Sequence, residues 1–356
     1  MSLDFEHFMG TNTIPQGAVF HPNGQKYIFA AGACVIIADL IDPHEQQFLR
    51  YHDEYVNCLA LSNSGRYVAS GQLGEHADVI IYDVQTQSIL YRCEEHDHGI
   101  QAVAFSEDEK IFVTIGIADD NNMIFWDMSN GCIIASSNKI PHQTKSVSFV
   151  GMVKDIKRRD THHYQICTAG ADGLTLWHLE PYTGDLLPHK VTGDPRGTIS
   201  RSVTSLHYTP DREYIYAATS SGDFLICNVK SLRIVGSIVA TKMSLNCILI
   251  HQGQVYIGCS DKTIKIYTLQ GDFVKAINMD GGVLSLSLSS DQLELLALTS
   301  FGSICRVNIQ NTQSIVLSEA HTGAVLFVTF DRGDPDRIAS ISADHTIKVH
   351  NIFAFT

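Results

Sequence analysis

Residues 56–83, VNCLALSNSGRYVASGQLGEHADVIIYD, carry the pattern that decides the fold. Residues 56–61 form a short apolar run, Asn63-Ser64-Gly65 is typical of a tight turn, and a second β-rich run follows at 67–71. A third apolar run at 78–83 ends in an aromatic residue and an aspartate. Short β-rich runs separated by turn residues predict a small antiparallel sheet.

The third run recurs eight times along the chain. Its penultimate position is occupied by Ala38, Tyr82, Trp126, Trp177, Cys227, Tyr267, Arg306 and His350. These positions lie 44, 44, 51, 50, 40, 39 and 44 residues apart. A four-stranded propeller blade needs about 40–45 residues, so the two longer intervals predict insertions. With no long helical period in the chain, the repeat predicts an all-β protein.

Composition limits the classes of function. The chain is 44% apolar and 18% charged, has a formal charge of −13, and contains no run of 18 apolar residues. This predicts a soluble globular protein without a membrane or nucleic-acid partner. The start of the chain lacks the pattern of a secretory signal. The nine cysteines are odd in number and form no C-x-x-C, which predicts reduced cysteines in the cytoplasm.

The repeat resembles the WD40 family over essentially the whole chain. The family's hallmark is a histidine near the start of a blade, serine or threonine in the second strand, aspartate in the next turn and tryptophan in the third strand. The fourth and eighth units match this pattern with His142, Thr168, Asp172, Trp177, His321, Ser340 and Asp344. We expect these polar side chains to form buried hydrogen-bond chains that fix each blade. In the eighth unit, His350 stands where tryptophan is usual.

The number of blades follows from how the ring closes. The eighth unit ends shortly after its third strand, while residues 3–9 alternate weakly, as an outer strand would. We therefore predict a single domain over residues 1–356, an eight-bladed WD40-type propeller whose last blade is completed by the N-terminal strand. Seven blades with a leftover unit is the alternative.

Some features resemble one branch of the family, the cilia- and flagella-associated WD-repeat proteins and the related echinoderm microtubule-associated-protein-like proteins. These features are residues 56–72 with Gly71-Gln72, the Phe8-Met-Gly10 start and the segment that begins at Gly281. In that branch such a chain is the first of two tandem propellers. The resemblance implies a non-catalytic scaffold associated with microtubules in a cilium, flagellum or centriole, with tubulin or axonemal proteins as partners. The alternative is an adaptor that presents proteins to an enzyme complex such as a ubiquitin ligase.

Several polar clusters have two interpretations. We expect His96 in His96-Asp97-His98 to be a blade-start histidine bonded to the next blade, rather than part of a metal or acid–base site. We interpret His162-His163 as an exposed pair in a loop and residues 119–122 as a polar turn, because neither has the spacing of a metal site. The chain has no nucleophile elbow, P-loop or dinucleotide fingerprint. We therefore predict no enzymatic activity and no cofactor or metal.

The insertion in the fourth unit is the candidate partner-binding patch. It carries four cations, Lys154, Lys157, Arg158 and Arg159, in an otherwise acidic chain. Lys190, Arg196 and Arg201 lie nearby in sequence and could join a positive region that faces an acidic partner. The alternative is a solvated loop that keeps a long hairpin soluble.

Overall fold

The computed structural model describes residues 7–42, 45–141, 143–154, 157, 159–193, 201–319, 321, 323–334 and 336–351. In these residues the chain forms eight antiparallel sheets, numbered here in chain order, and no helix. Sheets 1 and 2 comprise β1 (Ala18–Phe20), β2 (Lys26–Ala31), β3 (Cys34–Asp39), β4 (Gln46–Leu49), β5 (Val56–Leu61), β6 (Tyr67–Gln72), β7 (Ala77–Asp83) and β8 (Ser88–His96). Sheets 3 and 4 comprise β9 (Ile100–Phe105), β10 (Ile111–Gly116), β11 (Met123–Asp127), β12 (Ile133–Ser137), β13 (Thr144–Lys154), β14 (Asp160–Gly170), β15 (Gly173–Glu180) and β16 (Asp185–Lys190).

Sheets 5 and 6 comprise β17 (Val203–Tyr208), β18 (Tyr214–Thr219), β19 (Asp223–Asn228), β20 (Arg233–Val239), β21 (Leu245–His251), β22 (Gln254–Cys259), β23 (Thr263–Thr268) and β24 (Phe273–Asn278). Sheets 7 and 8 comprise β25 (Val283–Leu288), β26 (Glu294–Thr299), β27 (Ile304–Asn308), β28 (Ser314–Ser318), β29 (Val325–Phe330), β30 (Arg337–Ser342) and β31 (Ile347–Asn351). Sheets 1 to 7 have four strands each, and sheet 8 has three among the described residues. The predicted all-β class is confirmed.

A shared turn joins the first and second strands of several sheets. In sheet 2, Ser62 Oγ accepts the amide of Tyr67 at 3.1 Å, and Gly65 adopts φ +77°. A Cβ at Gly65 would lie 2.8 Å from His21 of sheet 1, so the turn needs glycine for both its conformation and its space. In sheets 3 and 7, Ser106 and Ser289 hold the same turn at 3.0 Å.

Neighbouring sheets of the ring pack closely around a central channel. Side chains of several first strands bond to the backbone of the next: Asn57 donates to the Ile100 carbonyl at 2.8 Å, and Asn246 donates to the Val283 carbonyl at 2.9 Å. At Gly71, a Cβ would lie 2.5 Å from Ile100. Glycine at this position therefore lets sheets 2 and 3 approach, which is the structural reason for Gly71 in the Gly71-Gln72 pair.

The ring closes between sheets 7 and 1. Ser285 Oγ donates to the Ala18 carbonyl at 3.2 Å, and the Phe20 amide donates to Ser287 Oγ at 3.0 Å. One apolar cluster contains Phe20 and Phe29 of sheet 1 together with Leu298 of sheet 7. The eight sheets that the repeat predicts are present, but seven of them form the ring, which was the alternative. This corrects the expectation that sheet 8 closes it.

The N-terminal segment does not supply the expected outer strand where it is described. Residues 3–6 lie outside the described residues, and residues 7–9 belong to no strand. The Phe8 amide donates to Gln46 Oε1 of sheet 1 at 2.8 Å, and the Phe8 ring packs on the apolar cluster shared by sheets 1 and 7. The described part of this segment therefore contacts the ring rather than sheet 8.

Candidate interaction surface

The basic insertion extends the first hairpin of sheet 4. Strands β13 and β14 have 11 residues each, whereas β9 and β10 of sheet 3 have six. Successive turns of an antiparallel sheet alternate between its two ends. This hairpin, which we call the sheet 4 hairpin (residues 151–163), therefore lies on the same face of the ring as the other turns between first and second strands.

A glycine and an ion pair shape the base of the hairpin. The register of β13 and β14 shifts between Phe149 and Gly151, and Gly151 has φ +136°. A Cβ at Gly151 would lie 2.6 Å from Arg212 of sheet 5, whose guanidinium pairs with Glu107 of sheet 3. Tyr208 also donates to Glu107, at 3.3 Å. The side chains of sheets 3 and 5 thus meet across the base of the hairpin.

The described cations of the patch are exposed at the end of the hairpin. Lys154, Lys157 and Arg159 all face solvent, and Lys154 pairs in register with Asp160. Hydrogen bonds from Thr209 and the Glu213 amide hold the pKa of Asp211 below its ordinary value, and Lys154 contributes to this effect. The fourth cation, Arg158, lies outside the described residues.

Two of the cations nearby in sequence do not join this patch. Arg201 is buried and pairs with the equally buried Asp223 at 3.2 Å. Lys190 pairs in register with Thr175, which in turn pairs with Thr168, near the end of the sheet opposite the hairpin. The third, Arg196, lies outside the described residues. Sequence proximity therefore overstated the size of the positive region.

On the opposite face, polar side chains form the expected kind of hydrogen-bond chain. In sheet 4, Trp177 Nε1 donates to Thr168 Oγ1 at 2.9 Å. Asp172 is exposed in the following turn, without a hydrogen bond among the described residues, and His142 lies outside them. In sheet 8, His321 lies 2.7 Å from Ser340 Oγ and 3.1 Å from Asp344.

Sheet 3 contains a complete chain that the sequence comparison of units did not single out. Trp126 donates to Thr114 Oγ1 at 3.0 Å, Thr114 lies 2.8 Å from His96 Nε2, and His96 Nδ1 bonds to Asp120. Because the carboxylate accepts, His96 carries its hydrogen on Nδ1 and accepts from Thr114. The expectation that His96 bonds to the next blade is confirmed. Trp126, one of the chain's two tryptophans, is the residue in the sequence that could have indicated this hydrogen-bond chain.

Sheet 2 uses a variant of the same chain. His52 lies 2.9 Å from Gln72 Oε1 and 2.6 Å from Ser70 Oγ. Gln72 therefore bonds to the blade-start histidine as Asp120 does in sheet 3. This hydrogen bond is the structural reason for Gln72 in the Gly71-Gln72 pair. Burial lowers the pKa of His52 despite the hydrogen bond to Gln72.

The paired histidines of the hairpin have separate partners. His163 Nε2 lies 2.8 Å from Glu180, and the His162 ring lies 6.1 Å from that of Tyr182 in an edge-on contact. In the part of the chain that the structure describes, no three histidine, cysteine, aspartate or glutamate side chains are grouped to hold a metal ion. The same residues contain no helix long and apolar enough to cross a membrane.

Known structures and sequences agree with this architecture. The chain aligns with the "Crystal structure of RRP9 WD40 repeats" at a TM-score of 0.65 and 16% identity, covering 82% of this chain and 88% of that one. The "Structure of U3-55K" gives the same TM-score and identity. At this identity the likeness concerns the fold alone, which is that of a WD40 propeller.

Proteins associated with cilia and flagella are similar to this chain in sequence. "Cilia- and flagella-associated protein 52" from Bos taurus is 28% identical over 351 residues, which are 96% of this chain and 54% of that protein. Its Chlamydomonas reinhardtii counterpart is 34% identical over 215 residues, 60% of this chain and 33% of that protein. The chain spans about half the length of the mammalian relatives it matches. The WD domain, G-beta repeat family model matches residues 44–83 and 87–127, so the chain contains WD40 repeats at these positions and is similar in sequence to cilia- and flagella-associated protein 52.

Proposed function

We propose that this chain is a non-catalytic scaffold of a cilium or flagellum that associates with microtubules. The name of the relatives supports the proposal, and the bovine relative matches 96% of the chain. A closed ring of sheets suits such a role, because it holds loops on two faces in fixed positions.

The sheet 4 hairpin is the surface that we assign to the acidic partner. It is longer than the equivalent turns of the other sheets, its base is braced by Arg212 and Glu107, and Lys154, Lys157 and Arg159 point into solvent. Clustered charges at an exposed edge accelerate association with a surface of opposite charge and make binding sensitive to salt. Tubulin is the acidic partner that we propose.

Co-sedimentation with polymerised tubulin tests this function. The hairpin variant is Lys157→Glu, Arg158→Glu and Arg159→Glu, and the control variant is Lys139→Glu, Lys230→Glu and Lys242→Glu. The control changes the net charge equally, at exposed lysines of sheets 3, 5 and 6.

We expect the hairpin variant to bind about tenfold more weakly, with a shallower dependence on salt, while the control binds within about twofold of the original chain. Equal loss in both variants would mean that overall charge, and not the hairpin, governs binding. Absence of binding by the unaltered chain would refute the microtubule association itself.

A further inference from the structure

A groove of about 510 Å³ lies beside the base of the sheet 4 hairpin, on the side that faces sheet 3. Tyr164, His162 and Tyr182 of sheet 4 line one wall, and Asp127, Met128 and Ile134 of sheet 3 line the other. The volume lies within the range of sites that bind small ligands or a few side chains of a peptide. The groove does not include the exposed cations at the end of the hairpin.

The wall from sheet 4 is aromatic and fixed at its base. Tyr164 donates to Asp108 of sheet 3 at 2.8 Å and packs edge-on against Phe149. Tyr182 is 82% exposed and contacts the His162 ring edge-on. Such an exposed aromatic face beside a rigid one attracts aliphatic stems and cations.

The wall from sheet 3 carries the Asp127 carboxylate, which can accept further hydrogen bonds. Asp127 Oδ1 accepts the Ser129 amide at 2.7 Å, whereas Oδ2 accepts, within the described part of the chain, only from the side-chain amide of Asn130, at 3.4 Å. Among the described residues, no lysine or arginine pairs with Asp127. A half-buried carboxylate with a free lone-pair direction is a ready acceptor for a cation.

Equivalent turns indicate that the charge of Asp127 is not needed for folding. Asn228 of sheet 5 and Asn308 of sheet 7 occupy the same position, and their Oδ1 atoms accept turn amides in the same way. An asparagine would therefore hold the turn at Asp127 as well. What the aspartate adds there is a negative charge at the edge of the groove.

The charges around the groove sum to a negative potential. Asp108, Glu109 and Asp127 are acidic, and among the residues that the structure describes Lys110 is the one lysine or arginine that lines the groove. Lys110 Nζ leans toward Asp108, at 3.6 Å, and is 74% exposed. Arg66, beside the groove, is already engaged with Asp83 and the Tyr67 ring.

We propose that this groove binds a lysine or arginine side chain presented by an extended segment of a partner protein. The aliphatic stem would pack between Tyr182 and Met128, and the cationic group would meet Asp127. The volume exceeds that of one side chain, so the residues that flank the cation would fill the rest. This proposal rests on the proposed role as a scaffold and adds a second contact, separate from the cations of the hairpin.

Binding of three fluorescent heptapeptide pools tests the site. The fixed central residue is lysine, norleucine or glutamate, and the three positions on either side are randomised. Norleucine keeps the aliphatic stem of lysine and removes its charge. By fluorescence anisotropy, we expect the lysine pool to bind about tenfold more tightly than the norleucine pool, as a charge-assisted contact requires.

Two variants with matched controls locate the binding. Asp127→Asn and Tyr182→Ala should each weaken binding of the lysine pool at least about fivefold. Asp272→Asn and Phe273→Ala, which change an exposed acid and an exposed aromatic residue of sheet 6, should leave it within about twofold. Circular dichroism of all four variants checks that each remains folded.

Three results would overturn the proposal. They are equal binding of the lysine and norleucine pools, unchanged binding by Asp127→Asn, or no binding of the lysine pool. Preference for the glutamate pool would assign recognition to the cations of the hairpin instead. Asp127→Asn leaves those cations in place, so loss of peptide binding with intact microtubule binding would separate this site from the proposed function.

Discussion

Sheets 7 and 8 come from successive repeats with the same internal register, yet only sheet 7 belongs to the ring. Val283 of β25 and Val325 of β29 occupy equivalent positions, each followed by a shift in register with the second strand. Val283 is fully buried, whereas Val325 is 52% exposed. Sheet 7 has sheets 6 and 1 as neighbours, but no side chain of sheet 8 belongs to any of the buried apolar clusters of the described residues.

The difference between sheets 7 and 8 shows that strands can pair into a sheet without that sheet being buried. An alternating apolar run is enough to pair with its neighbour in sequence and make a sheet. A propeller blade is stabilised only when both faces of that sheet are covered by adjacent blades. The apolar side chains of β29, among them Leu326 and Phe327, are more than half exposed, as expected for a sheet that no neighbouring sheet covers.

Loss of a buried leucine at the closure should have the largest effect. Leu298 is fully buried between sheets 7 and 1, in contact with Gly17, while Leu326 of sheet 8 is 68% exposed. We expect Leu298→Ala to lower the free energy of unfolding by about 3 kcal/mol, since a cavity remains at the closure. The matched change Leu326→Ala should cost less than about 0.5 kcal/mol. Urea unfolding measures both.

An equal loss in the two leucine variants would contradict the comparison. It would mean that Leu326 packs against another part of the chain and that sheet 8 is covered.

Removal of a blade-start histidine should lower the stability of the ring when the histidine belongs to the ring, and that of sheet 8 when it belongs to sheet 8. His96→Ala removes one hydrogen bond each from the buried Asp120 carboxylate and the Thr114 hydroxyl, and we expect it to cost about 2 kcal/mol. His321→Ala should loosen sheet 8 alone. Both tryptophans, Trp126 and Trp177, lie in the ring. Their fluorescence should therefore report a lower unfolding midpoint for His96→Ala and an unchanged one for His321→Ala.

Hydrogen exchange at β30 serves as the control for sheet 8. Exchange there should accelerate in His321→Ala and stay unchanged in His96→Ala. A shift of the tryptophan midpoint in His321→Ala would indicate that sheet 8 supports the ring.

Acid should weaken the ring modestly through His52. Burial lowers its pKa below the unfolded value of 6.5, so the unfolded chain binds the proton first as the pH falls. The stability that the neutral imidazole of His52 provides is complete above the unfolded pKa, and it is lost as the pH falls from about 7 to 5. We expect the free energy of unfolding to fall over this window, measured by urea unfolding at each pH.

His52→Asn tests the assignment, since asparagine can still donate to Gln72 but does not titrate. The slope of stability against pH between about 7 and 5 should flatten in this variant. An unchanged slope would attribute the acid sensitivity to other histidines.

Most of the local structure could be predicted from the sequence. The eight repeats mark the eight sheets, because strand alternation and turn residues such as Asn63-Ser64-Gly65 act over a few neighbouring positions. His96 could be interpreted correctly for the same reason, since a short spacing places it beside the next blade. The bond between Thr168 and Trp177 likewise follows from adjacent strands in register.

The tertiary structure decided what depends on contacts distant in sequence. The repeat contains no information on how many blades complete a turn, because that number follows from the angle at which neighbouring sheets pack. The serines of β25 bond to sheet 1 across 267 residues and so close the ring at seven. Arg201 looked like a surface cation until its buried partner Asp223 was known. The groove beside Tyr182 arises in the same way, from two sheets that each appear ordinary in sequence and enclose a site only where they meet.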